Sequence, residues 1–168
     1  AFYGCSMLKE LTLPISLNVS DSQSANLFYG CVNIKEITFT PGTGDGFNYQ
    51  SNQSFKDYYK RTPWYLSKDS LTTLIFNEGI ISICFYTFDG CAKFTNVTLP
   101  YSLSAIGKYA FYGCSNLRTT IPGDLTSIGD NAFYGCTYLT ERFISDSLTF
   151  IGNNAFYGCL SLTEINVS

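Results

Sequence analysis

Seven cysteines, at positions 5, 31, 84, 91, 114, 136 and 159, carry the most intrinsic chemistry in this 168-residue chain, and no histidine accompanies them. Without an imidazole there is no Ser-His-Asp or Cys-His nucleophile pair, no histidine-ligated zinc and no neutral-pH proton shuttle. A catalytic thiol would instead need a basic cluster beside it to lower its pKa, and none adjoins these cysteines in sequence. The expectation is therefore no enzyme, no catalytic residue, no metal and no cofactor. Buried free thiols are the favoured reading of the cysteines.

The remaining chemically capable groups recur or cluster. Tyr3, Tyr29, Tyr112, Tyr134 and Tyr157 stand at one phase of a repeated phrase, with Asp89 in the same place once. Such a stripe could bind sugars or another protomer through rigid amphipathic rings, or its rings could simply stack on one another. Tyr58, Tyr59, Arg61, Trp64 and Tyr65 form an aromatic and basic cluster. It reads either as a functional loop or as a small satellite core, with Trp64 buried in both cases. Gly42-Thr43-Gly44-Asp45-Gly46 lacks the lysine and following helix of a phosphate loop. Asn18, Asn52, Asn96 and Asn166 each open an Asn-x-Ser/Thr acceptor, which matters only in a eukaryotic secretory route.

Composition bounds the partners. Charged residues make up 14%, aromatic residues 17%, and the net charge is -3 with a pI near 4.8. The chain is a folded, weakly charged one with no electrostatic basis for gripping nucleic acid. No apolar run is long enough to suggest a transmembrane segment. The chain starts at Ala1 without a leader and opens in mid-repeat, so it reads as a mature piece or a fragment.

Positioning these groups falls to a repeat. Ala-Phe-Tyr-Gly-Cys stands at Ala1, Ala110, Ala132 and Ala155, with variants at Leu27 and Thr87. The six cysteines that close these phrases are spaced by 26, 60, 23, 22 and 23 residues. Each phrase leads into an apolar, two variable, apolar, one variable, apolar pattern, as in Phe94-Thr95-Asn96-Val97-Thr98-Leu99-Pro100. The closing alternation is a strand period, and proline ends it by denying the next ladder bond. A second apolar pair, such as Leu103 with Ile106 or Leu125 with Ile128, then reaches Gly107 or Gly129, glycines that suit positive φ or close backbone approach. Each repeat is thus a coil of strand, corner, short second strand, glycine turn and helical turn.

The phrase Ile128 to Thr140 resembles the repeat of the BspA-like leucine-rich repeat family over nearly the whole chain, and Gly42-Thr43-Gly44 with Thr62-Pro63-Trp64-Tyr65 resembles an element of that family. The resemblance implies a secreted or cell-surface protein of bacteria or protists, with roles in adhesion and host-protein or cell-cell binding. The expected fold is a β-rich leucine-rich-repeat solenoid, a curved right-handed coil of parallel strands and short helical turns with about seven rungs. One domain spans 1–168, with an insertion at about 40–70 that hides a rung at Leu71–Phe76.

In that solenoid the exposed sheet face carries Lys9, Thr12, Lys35, Thr38, Thr95, Thr98, Thr140 and Thr163, a mixed, threonine-rich surface that reads either as suited to a protein or glycan ligand or as a solvated face with no partner. Two irregularities stand out: Leu117 to Pro122 is one residue shorter than its counterparts, and Arg142 falls where an inward Val or Ile belongs, which a bulge turning Arg142 outward would relieve. Uncapped terminal rungs add a rival function, a structural subunit, glycosylated or not, that stacks end to end with further copies into an extracellular filament.

Overall fold

The computed structural model describes residues 2–15, 28–42, 64–140 and 143–167. The expectations for Asn18, Asn52, Tyr58, Tyr59, Arg61, Thr62-Pro63, Arg142 and the Thr43-Gly44-Asp45-Gly46 part of the glycine run fall outside them.

Two parallel sheets face each other across one core. The first is ordered β1-β2-β3-β5, from β1 (Glu10–Pro14), β2 (Glu36–Thr40), β3 (Thr73–Phe76) and β5 (Asn96–Thr98). The second is ordered β4-β6-β7-β9, from β4 (Ser82–Ile83), β6 (Ala105–Ile106), β7 (Ser127–Ile128) and β9 (Phe150–Ile151). Pairing of β8 (Phe143–Ser145) with β10 (Ile165–Val167) makes a third, two-stranded ladder. This is the expected parallel solenoid, and the rung expected at Leu71–Phe76 is there as β3.

The alternation in sequence becomes an alternation of faces. Leu11, Ile37, Leu74 and Val97 are in register and point inward, as do Leu13, Phe39 and Phe76. On the second sheet Ile83, Ile106 and Ile128 do the same.

A further ladder of backbone bonds runs along the corner formed by the Phe-Tyr-Gly-Cys phrases. Phe88, Phe111 and Phe133 donate their N–H to Ala110, Ala132 and Ala155, and Gly90, Gly113 and Gly135 donate to Tyr112, Tyr134 and Tyr157, all at 2.7–2.9 Å. Beneath it Phe88, Phe111, Phe133 and Phe156 stack in a column at 5.4–5.6 Å between centroids.

Two expectations need correction. The count of about seven rungs gives way to about four turns of continuous pairing in each large sheet. In the first sheet the missing residue between Leu117 and Pro122 ends the pairing: Thr119 and Ile121 are buried where Val97 and Leu99 stand one rung earlier, and no strand forms on the side of β5 away from β3. The helical turns are in fact tight turns closed by three-residue bonds, such as Ala110 N–H to Gly107 and Cys114 N–H to Phe111. Among the described residues the one helical element is a 3-10 turn at Tyr65–Ser67.

That turn mends the column where the repeat phrase is absent. Trp64, 1% exposed, stacks on Phe88 at 5.6 Å, and its indole N–H donates 2.9 Å to the carbonyl of Thr87. In regular rungs a backbone N–H fills the equivalent carbonyl, so the indole substitutes for it. Ser67 Oγ, also buried, donates to the carbonyl of Cys31.

Close approach, not positive φ, explains the turn glycines of the second sheet. A Cβ on Gly129 would stand 2.5 Å from Lys108 N and 2.8 Å from Gly107 C, contacts no side chain tolerates. Hydroxyls then fix the register, since Ser104, Thr126 and Thr149 each donate to the carbonyl one rung earlier at 2.9–3.1 Å.

Candidate functional site: two outer faces and a tyrosine edge

The outer face of the first sheet gathers two side-chain columns. Glu10, Glu36, Thr73 and Asn96 are in register, and beside them run Thr12, Thr38, Ile75 and Thr98. Lys9, Lys35 and Thr95 lie at the entrance to their strands, linked through Thr72 by backbone bonds of 2.7–2.9 Å. All carry both charge signs and hydroxyls on a surface open to solvent. Ile75 was not anticipated there; it follows from the register of the hidden rung. Thr140 and Thr163 are exposed but stand beyond the broken rung, apart from this sheet. Asn96 is exposed on the same face, and Asn166 lies in β10.

The tyrosine edge is a stack. Tyr112, Tyr134 and Tyr157 follow one another at 4.8 and 4.9 Å with nearly parallel planes, and Tyr3 lies on Tyr29 at 5.3 Å. Such spacing covers ring faces and presents ring edges. Where Asp89 replaces the aromatic, burial pushes its carboxyl up to about 6, with Lys68 opposing the shift. Asp89 in turn helps push up the neighbouring Tyr112, after burial and Tyr134.

Tyr86 and Tyr109 occupy the left-handed region at φ 56° and 57°, an unusual backbone for bulky side chains. Asn131 and Asn154 hold the same place in later rungs at φ 55°. The two tyrosines stack at 4.6 Å, and the Lys108 ammonium sits 5.6 Å from the Tyr109 centroid.

The buried cysteines are poor nucleophiles. Cys31, Cys114, Cys136 and Cys159 donate Sγ–H to phenylalanine carbonyls of the preceding rung at 3.0–3.2 Å. Burial pushes the Cys91, Cys114 and Cys136 thiols far up and Cys159 up to about 11. The described residues include all seven cysteines, and none forms a disulfide; Cys5 alone is exposed and Cys84 is half-buried. Among the described residues no group of three or more acidic or cysteine side chains could hold a metal. Nor is any helix among them long and apolar enough to cross a membrane.

Sequence reasoning missed the outer face of the second sheet. A trough of about 450 Å³ runs across it, floored by Ser82, Ala105 and Ser127 and ended by Phe150. The signal was present in the second apolar pairs, whose outward partners are small until Phe150.

The repeat phrases that build these ladders match the BspA type leucine-rich repeat region in six copies, over residues 1–63 and 62–168. The chain belongs to the BspA-type leucine-rich repeat family. No curated protein matches it. Among solved structures it is similar to a leucine-rich repeat protein of Bacteroides ovatus, with 24% identity and a TM-score of 0.61 over 94% of this chain and 36% of that one. A leucine-rich cell surface protein of Faecalibacterium prausnitzii is similar at 18% identity and TM-score 0.50, over 94% of this chain and 47% of that one. The chain thus spans less than half the length of either, and these likenesses concern the fold. The BspA-type repeat suggests a protein-interaction role.

Proposed function

We propose that this BspA-type chain is a noncatalytic, secreted or cell-surface module for adhesion, holding a protein or glycan partner on the outer face of its first sheet. The observation that carries the reading is the pair of in-register columns, Glu10 to Asn96 and Thr12 to Thr98, on a rigid parallel sheet. Rigid elements hold recognition groups in place at little ordering cost on binding. The mixed charge suits a partner of mixed polarity better than a phosphate polymer. The Faecalibacterium neighbour, described as a cell surface protein, supports the location. In a eukaryotic secretory route Asn96 and Asn166 would carry N-linked glycans.

Photo-crosslinking tests the reading. A benzoylphenylalanine at Thr38 or Thr98 is expected to capture a partner from the surface of neighbouring cells, while the same group at Asp124, exposed on a turn outside both sheets, captures none. Equal capture at Asp124 would sink it.

A second reading, a self-stacking fibre subunit, draws on the corner ladder. Rings of one rung stack on those of the next at 4.9–5.4 Å, the contact that a second copy would extend. Filaments in negative-stain micrographs of the purified chain would favour it, and single particles of one chain's mass would refute it.

A further inference from the structure

We propose that the trough on the second sheet is a binding site for a neutral oligosaccharide, separate from the first-sheet face and independent of what that face binds. Register places Ser82, Ala105, Ser127 and Phe150 in one outward column. Three small side chains leave a flat floor, and the fourth ends it with a ring that is 56% exposed. Phe85, 46% exposed, lines the trough on the first of its rungs. Four rungs at strand spacing put about 14 Å between the outer members of the column, room for a few sugar rings in line. Gly107 and Gly129 contribute bare backbone to one side, for the close-packing reason given above.

The rim supplies polar groups held in position. Lys108 Nζ meets Asp130 Oδ2 at 3.1 Å, and Asp130 Oδ1 accepts the Asn153 N–H at 2.8 Å. The ammonium also lies over the Tyr109 ring, on its strained backbone. Donor and carboxylate are therefore preorganised, and the trough carries no net charge from them.

These features discriminate among ligand classes. An anion would find one lysine, already engaged by a carboxylate. An extended peptide would gain no strand pairing, because β6 and β7 are bonded along both edges and the trough lies on their face. An acyl chain would leave much of its surface in water along the open side. A sugar has apolar faces to lay on Phe85 and Phe150 and hydroxyls to meet Ser82, Ser127, Lys108 and Asp130, so of these classes it fits a mostly apolar lining with a polar rim best.

Saturation-transfer NMR and calorimetry on the whole chain test this with maltotriose, cellotriose and triacetylchitotriose, and with trigalacturonate as the anionic control. At least one neutral trisaccharide is expected to bind, Phe150→Ala to weaken it about tenfold or more, and Ser127→Leu to abolish it. Thr12→Arg and Thr98→Arg on the other sheet are expected to leave this binding unchanged while impairing the first-sheet face. Binding of none of the neutral probes, preference for trigalacturonate, or indifference to Phe150→Ala would overturn the proposal. If Ser127→Leu unfolds the chain, Phe150→Ala decides alone, since it truncates an exposed ring.

Discussion

The two large sheets share the same coils but are held in register with different tightness. Both have hydroxyls bonded to the carbonyl of the rung before, at 3.3–3.5 Å from Thr72 and Thr95 in the first sheet and 2.9–3.1 Å from Ser104, Thr126 and Thr149 in the second, where Gly107 also packs its bare backbone against Gly129. Pairing there continues through the rung that contains Leu117 to Ile128. In the first sheet the register depends on the number of residues between apolar anchors. One residue fewer after Leu117 turns Thr119 inward and ends the sheet at β5, leaving a cavity of about 270 Å³ beside Val97 and Thr120. A coil can therefore lose one wall and keep the other.

The sharpest way to break that comparison is Gly129→Ala. Its methyl would collide with backbone of the previous rung, and backbone cannot rotate away as a side chain can. The expected loss is ~3 kcal/mol or more, seen as a large fall in the thermal midpoint or as failure to fold. An unchanged midpoint would mean the rungs slide more freely than the packing indicates.

Inserting one valine between Thr119 and Thr120 should repair the first sheet. The stretch then reads Leu, Arg, Thr, Val, Thr, Ile, Pro, the pattern of Phe94 to Pro100. Burying valine in place of threonine, with a new strand beside β5, is expected to add about 1–2 kcal/mol. Hydrogen exchange at Val97 to Leu99 would slow. Unaltered exchange would show that something other than residue count ends the sheet.

The smallest effect concerns the tyrosine edge. The Asp89 pKa is raised from 3.8 to about 6 on folding, so the folded state binds the proton more tightly than the unfolded one. Its contribution to stability is full below about pH 4 and is lost as pH rises through about 6. Asp89→Asn should remove this slope and stabilise the chain at pH 7.5 by on the order of 1 kcal/mol, after allowance for solvent screening of a half-exposed carboxylate. A pH 4–7.5 series of melts checks it; identical slopes in both proteins would refute the burial argument.

Much of the scaffold was legible because it repeats. Six copies of one phrase fix the period, and the alternation around Leu11, Ile37, Leu74 and Val97 fixes which residues turn inward. The shortened stretch at Leu117 was visible as well, but its outcome depended on whether Thr119 could be buried, a tertiary matter. Trp64 was expected to be buried, yet that its indole would stand in for a backbone N–H could not be read, because no neighbouring repeat carries a tryptophan to compare. The trough escaped for a related reason. Ser82, Ala105 and Ser127 look unremarkable singly and form a floor only once the rungs are in register.

The direction of the inter-rung bonds has a mechanical consequence. Backbone bonds such as Gly90 to Tyr112 and Gly129 to Ile106 join one coil to the next, so they lie along the solenoid axis. Tension along that axis loads them end-on and in series, coil after coil, in the manner of a zipper and unlike sheared strands that resist together. Each 22–23-residue coil that opened would release roughly 75 Å of contour length, so a tethered array would lengthen in steps and absorb force before parting.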